Sequence, residues 1–461
     1  MRSGGSPALR SRAGSEPEAR LARSAADRTG RHLRTEDVVH WLAARYESHA
    51  FQVEGVPLDE LNGWHFEADT GNLVHESGRF FSIVGISASV SHAEIPAWQQ
   101  PIIRQQEVGI LGLLVKEFDG VPHFLMQAKM EPGNPNLIQL SPTVQATRSN
   151  FEQVHRGSSV SYLEHFVHPE HVIADSLQSE HGSWFHQKFN RNMVVETHAD
   201  VPLHDDFCWL TLGQIGRLLR LPNVVNMDAR SIISCLPLVP DGGSALHTDL
   251  EVTSWLVGER ARHSTEVRLI GLDEVDGWHR EAEAVARPDG RYFRVRGVTV
   301  RAGSREVPSW SQPLLEPSGV GVAAFVFRRM DGVPHLLVQA KVEAGFRNVV
   351  EMAPTVQCTP ENWTGRARIG RPRFLDYVVA SADAGAADYD VVQSEEGGRF
   401  LNAEIRYIFV QAGGDESAGD PPSGFRWLSV EQLRHMTAGG HVVNVQARTL
   451  LSLVNSGAVV L

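Results

Sequence analysis

The stretch at residues 119–147, DGVPHFLMQAKMEPGNPNLIQLSPTVQAT, returns at 331–359 as DGVPHLLVQAKVEAGFRNVVEMAPTVQCT, ungapped and with 17 of 29 positions identical. A register kept over a shift of 212 residues means a tandem duplication, so one fold must be built twice. The spacing divides the 461 residues into a tail at 1–34, a first repeat at 35–240 and a second at 245–461. Each repeat has an ordinary domain size. The joint at 236–249 collects Pro, Gly and Ser, as a linker does.

The tail carries eight arginines against three acids and almost no large apolar residues. Such composition offers too little burial to offset ordering, so disorder is expected over 1–34. Glu16, Glu18 and Asp27 argue against a transit peptide. The whole chain is 42% hydrophobic and carries a net charge of −12, which suits a soluble globular protein and argues against nucleic-acid binding. Cys208, Cys235 and Cys358 are odd in number and far apart. That speaks against a disulfide framework and a structural zinc site. With no run of 18 apolar residues, no membrane span is expected, and the compartment is read as cytoplasmic.

Each copy reads as helix, strands, hairpin, strand and two helices. Thr35 before Glu36 and Asp37, then Val38, Trp41, Leu42 and Tyr46, predicts a helix to about residue 48, with a partner at 252–261. Asp119-Gly120 and Asp331-Gly332, each between two apolar runs, predict hairpins. The expected fold class is therefore an α+β or α/β sandwich with a mixed sheet, used twice.

No GxSxG, P-loop or HExxH motif occurs. Gly319-Val-Gly321-Val-Ala-Ala324 matches GxGxxA only on paper, because it lies inside an apolar strand run rather than opening a helix. Eight of 21 histidines fall between His155 and His204, but Pro169 breaks the spacing of His165, His168 and His171. They read as surface or hydrogen-bonding groups, with no metal assigned. The stretch holding Gln127, Lys129, Glu131, Asn134, Asn136, Thr143 and Gln145 is denser in donors and acceptors than a core strand requires. It suits a pocket for an oxygen-rich ligand, although a network pinning irregular backbone explains the same residues.

The motifs WQQPII, FLMQAKMEPGN, LSPTVQAT, QSEHGSWF, NRNM and NMDARS, in this order on a duplicated frame, resemble the NDP-hexose 2,3-dehydratase family from about residue 35 to the end. The resemblance implies two tandem Nudix-like domains. It also implies loss of water across C2 and C3 of dTDP-4-keto-6-deoxy-D-glucose in deoxysugar biosynthesis. The glutamate-rich Nudix box is absent from SPTVQATRSNFEQ and APTVQCTPENWTG, so the fold is expected without hydrolysis. The elimination needs a base, an acid and donors to an enolate oxygen, and no redox cofactor.

Within that resemblance the first repeat is the expected active site, because Arg104, Lys188 and EPGNPN become Glu316, Ala403 and EAGFRN in the second. The second repeat is then structural or a weak nucleotide binder; against this, Arg371, Arg373 and Arg399 could rebuild an anion site there, across a dimer interface. Glu180 and His181 are the expected acid/base pair, with Lys129 polarising the ketone or anchoring the sugar. Arg104, Lys188 and Arg191 are expected at the diphosphate, and Trp98 on thymine or sugar. Gln127, Glu131, Asn134, Thr143 and Gln145 are expected to bind substrate. A homodimer, and an NADPH-dependent 3-ketoreductase that takes the product, are the expected partners. A non-catalytic sugar-nucleotide binder and an epimerase or isomerase are the competing readings.

Overall fold

The computed structural model describes residues 16–91, 95–147, 160–238, 242–303, 308–363, 370–413 and 420–461. The first fifteen tail residues, Glu94, His155 and part of the linker lie outside the described residues, as does the SNFEQ segment after SPTVQAT.

The architecture is α+β with the two-part repeat expected. Each repeat contributes one seven-stranded mixed sheet. In the first, the order is His171–Ser179, Phe189–Glu196, Gly109–Phe118, Val121–Met130 and Phe207–Leu210, with two short strands paired onto the hairpin. Phe189–Glu196 runs parallel to Gly109–Phe118 and its other pairings are antiparallel. Asp119 (φ 50°) and Gly120 (φ 77°) both adopt the left-handed conformation that a two-residue hairpin turn requires, and Asp331 and Gly332 repeat it. Helices Leu212–Leu218 and Met227–Ile233 cover one face of the sheet, and Phe166 with Tyr162 covers the other.

The two smaller sheets are shared between the repeats. Strand Phe51–Val56 of the first repeat pairs with Phe293–Ala302 of the second. Reciprocally, Thr265–Ile270 pairs with Ser82–Val90. The boundary expected at 240–245 thus divides the sequence but not the sheets. The periodicity of a strand does not name its partner, so this exchange could not be read from either repeat alone.

Two further contacts cross in both directions. The Gly133 N–H donates to Gly397 O at 2.7 Å, and the Gly345 N–H to Gly182 O at 2.8 Å. A Cβ on Gly133 would run into Phe400 O, and one on Gly345 into Phe185 O, so only glycine permits this approach. Arg230 reaches Gln393 Oε1 and Ser394 O, while Arg448 donates to Ser179 O at 2.6 Å; both arginines are fully buried.

The tail departs from expectation. From Glu16 to Ala26 it is a helix, with Leu21 only 1% exposed. Ser24 Oγ donates to Pro122 O at 2.6 Å and accepts the Leu212 N–H at 2.9 Å. Arg20 pairs with Glu117 and Glu196. Its order comes from distant partners for a few polar groups, which a local count of apolar residues does not register. No helix among the described residues is long and apolar enough to cross a membrane.

The duplicated frame also carries one uneven pair. Ser394 exchanges hydrogen bonds with Gln139, but its counterpart Ser179 donates to Glu351 at 2.6 Å. Burial pushes the Glu351 carboxyl from 4.5 to about 7. The unfolded chain loses this proton first, so stability falls as pH rises from 4.5 to about 7 and stays lowered above that. Glu351→Gln, which copies the first repeat, is expected to change stability little at pH 5. At pH 8 it should add roughly 3 kcal/mol, read from urea unfolding at both pH values.

Candidate active site

The dense polar stretch folds into a chain of contacts on the first large sheet. Lys129, on the returning hairpin strand, donates to Gln145 Oε1 and lies 3.1 Å from Glu131 Oε1. Gln145 Nε2 donates to Asp228, in the first turn of helix Met227–Ile233, whose N-cap is Asn226. Glu180 follows the edge strand and accepts from Asn190 Nδ2 at 2.7 Å. Lys188 donates to Glu107 O.

The second repeat completes this cluster. Glu396 lies within electrostatic reach of Glu180, Glu131 and Lys188, and Arg399 within reach of Glu131 and Asp228. Arg399 donates to Gln105 Oε1 at 3.1 Å and covers the Phe81 ring at 4.3 Å. Gln312 Nε2 donates to Gly398 O at 2.8 Å, and its Oε1 accepts from Trp310 Nε1.

Burial, reinforced by Glu396 and Glu131, pushes Asp228 up to about 7. Burial, opposed by Arg399 and reinforced by Glu180 and Glu131, does the same for Glu396. Glu180 is raised by burial and by Asp228, and Lys188 is lowered by burial. Among the described residues, Glu131 Oε2 and Glu180 Oε2 are buried without a hydrogen-bond partner. An unmet buried acceptor costs about 1–3 kcal/mol, so the cluster leaves two carboxylate oxygens free to accept further donors.

The equivalent place on the second repeat opens into a cavity of 1220 Å³. Its floor repeats Lys341, Glu343 and Gln357, with Gln446 in place of Asp228. The first repeat supplies Trp98, Gln100, His181 and Trp184 to its walls. Each site therefore joins one repeat's large sheet to the other's loop and small sheet.

A profile of the family described as NDP-hexose 2,3-dehydratase matches residues 35–236 and 249–454. The chain belongs to the NDP-hexose 2,3-dehydratase family. It is 53% identical over 446 residues to the dTDP-4-dehydro-6-deoxy-alpha-D-glucopyranose 2,3-dehydratase of Amycolatopsis orientalis, covering 95% of this chain and 94% of that one. Enzymes of the same name from Streptomyces violaceoruber and Saccharopolyspora spinosa are 47% and 44% identical. These alignments cover 90% of this chain in both cases, and 96% and 90% of the relatives.

In this family member, Lys129, Glu131, Gln145, Glu180 and Lys188, expected in a first-repeat site, lie in this one cluster. Gln127 is half-buried two residues before Lys129, on the same strand face. Other expected residues lie elsewhere. Trp98 faces the second cavity, and Trp310 takes the corresponding position beside Gln312. Arg191 is held by Asp175 on the neighbouring strand at 2.8 and 2.5 Å, and Arg104 is exposed at a strand end. Thr143 is spent on Leu125 O and the Leu114 N–H and so pins backbone, whereas Asn134 donates to Leu137 O and leaves a buried Oδ1 without a hydrogen-bond partner among the described residues.

Glu180 and His181 do not form a pair. His181 lines the second cavity and bonds Glu395 at 2.6 Å, both essentially buried. Tyr407 OH donates to the other Glu395 oxygen at 2.7 Å. Despite burial, Glu395 raises the His181 pKa, and His181 lowers that of Glu395.

Asp228, Glu396, Arg399 and Gln312 were missing from the sequence-based first site. Asp228 stood within NMDARS, and its change to Gln446 was a visible signal. The other three reach the site by the exchange between repeats.

The neighbours at 180 and 181 should separate experimentally. His181→Ala strands a buried carboxylate and is expected to cost about 3 kcal/mol in urea unfolding at pH 6. The ion pair weakens as pH rises through the elevated His181 pKa, so this cost should shrink at high pH. Glu180→Gln keeps the hydrogen bond from Asn190, so its unfolding should change little while turnover falls.

Proposed function

We propose that the chain removes water across C2 and C3 of dTDP-4-keto-6-deoxy-D-glucose, giving a 3,4-diketo-2,6-dideoxy sugar, at the first-repeat cluster. The relatives' names support the substrate. The observation that carries the location is the pair Asp228 and Glu396, both pushed to about 7 within one cluster.

Two carboxyls raised toward neutrality in one cluster favour a state with one ionised and the other protonated. The ionised member takes the C3 hydrogen, which the 4-keto group acidifies. Electrons move into the C2–C3 bond, and the C2–O bond breaks as the protonated member supplies its proton to the leaving hydroxyl. The resulting enol takes a proton at C2 and relaxes to the diketone. The sequence is redox-neutral. Lys129 donates toward the developing enolate oxygen, and Glu131 and Glu180 offer their open oxygens to sugar hydroxyls. Lys188 and Arg399 face the diphosphate, and Trp310 offers a stacking surface. The fold of each repeat is read as Nudix-like, and the product as passing to an NADPH-dependent 3-ketoreductase in the cytoplasm, with the enzyme a homodimer.

The open second cavity, with Lys341, Glu343 and His181, favours a second reading in which elimination runs there. Turnover measured with a trapping 3-ketoreductase and NADPH, with mass spectrometry of the 2-deoxy product, decides between them. Asp228→Asn and Glu396→Gln should each lower kcat/KM by about 10²–10⁴, and Glu343→Gln by less than about tenfold. The reverse pattern moves the chemistry to the second cavity. Binding without turnover in the parent chain would indicate a sugar-nucleotide sensor, and deuterium exchange without water loss an epimerase. The parent's kcat/KM should trace a bell centred near pH 7, since it needs one member of the pair ionised and the other protonated. A profile flat from pH 6 to pH 8 would count against the pair.

A further inference from the structure

Two members of the histidine-rich span, left without a role in the sequence, meet at one end of the first large sheet. Glu170, His171 and His198 are all exposed there, and one potential ligand atom from each lies within 4.8 Å of the others. His171 opens the edge strand opposite Glu196, and the register shifts between Val172 and Ala174. A bulge of this kind bends the strand and re-aims its end. His198 follows the neighbouring strand by two residues, and the two imidazoles sit 5.3 Å apart, edge to face.

Glu170 is already oriented. Its Oε2 accepts from Thr197 Oγ1 at 2.9 Å and from the His198 N–H at 3.1 Å. These bonds hold its carboxyl below the usual range. Oε1 is directed to the other side, 3.9 Å from His171 Nε2. One oxygen is thus anchored by outer partners while the other faces the imidazoles, the pattern that outer hydrogen bonds impose on metal-ligating carboxylates. Tetrahedral ligation at ordinary Zn–N and Zn–O lengths places ligand atoms about 3.3 Å apart. Exposed side chains on a sheet-anchored backbone reach that by small rotations.

We propose that Glu170, His171 and His198 form a surface site for a first-row divalent cation of the imidazole-preferring class, zinc or nickel, with water completing the coordination. The three ligands are one carboxylate and two imidazoles, a set that suits these ions over magnesium or calcium. The bound ion ties the start of an edge strand to the chain leaving its neighbour, closing one end of an open sheet edge. Its place lies outside the charged cluster and the second cavity, so it acts on the sheet and not on the sugar.

Calorimetric titration of the chelator-treated, tag-free full chain with ZnCl2, and separately with NiCl2, tests this. One equivalent per chain is expected. His171→Ala and His198→Ala should each weaken binding by at least about tenfold, and the control His40→Ala should leave it unchanged. On the unaltered chain, Cu2+ electron paramagnetic resonance should show coupling to two imidazole nitrogens, a readout that depends on no variant folding. Absence of a saturable isotherm, binding that survives the double substitution, or a copper spectrum without two nitrogens overturns the proposal.

Discussion

The two repeats are held together by reciprocal crossing, and the most demanding part is the pair of buried arginines. Arg230 and Arg448 each leave a helix of one repeat and bond backbone carbonyls or side chains of the other. A guanidinium removed from water needs most of its five donors met, so each fixes its partner loop closely. Those loops are the QSEHG and QSEEG segments. Their glycines accept the hydrogen bonds that lock the opposite EPGNPN and EAGFRN turns. Separating the repeats would strip partners from arginines, loops and exchanged strands together. The two halves therefore form one folding unit despite their sequence division.

The same crossing explains how the two sites differ. Neither repeat owns its site, so a substitution in one loop alters the chemistry on the other repeat's sheet. The loop position holding His181 in one copy holds Glu396 in the other. Glu396 adds a carboxyl to a place already holding Glu131, Glu180 and Asp228, which raises the proton affinity of that group. His181 instead meets Glu395 and satisfies it. One exchange of residue type thus produces a strained carboxylate cluster on the first sheet and a settled ion pair beside the second cavity. Lys188 opposite Ala403, and Asp228 opposite Gln446, carry the divergence further.

Local signals in the sequence were reliable where the cause was local. Asp119-Gly120 dictated its turn, the helical spacing of Val38 and Leu42 placed Val38–Ser48 although Thr35 does not cap it and instead donates to Arg28 O, and the polar density around Lys129 and Gln145 marked part of the charged cluster. Thr143 belonged to the same dense stretch but serves backbone, because composition cannot say which way a polar side chain turns. Trp98 was assigned to its own repeat, and the exchanged small sheet carried it to the other. Helix Glu16–Ala26 was missed because Ser24 and Arg20 find their partners about a hundred residues or more away.

These failures share one physical origin. A duplicated sequence suggests two copies of a self-contained unit, but equivalent strands have identical edge chemistry and can pair within or between copies. The linker's length does not decide between these outcomes. The Gly133 and Gly345 turns do bear on it, because each is shaped to accept the other copy's loop so closely that a methyl group would block it. With that contact in place, Phe51–Val56 and Thr265–Ile270 have open edges in front of them on the opposite repeat. A glycine inside a repeated motif therefore carries information about assembly as well as about the turn. At Gly133, two residues after Glu131, it ties the geometry of the charged cluster to the docking of the second repeat.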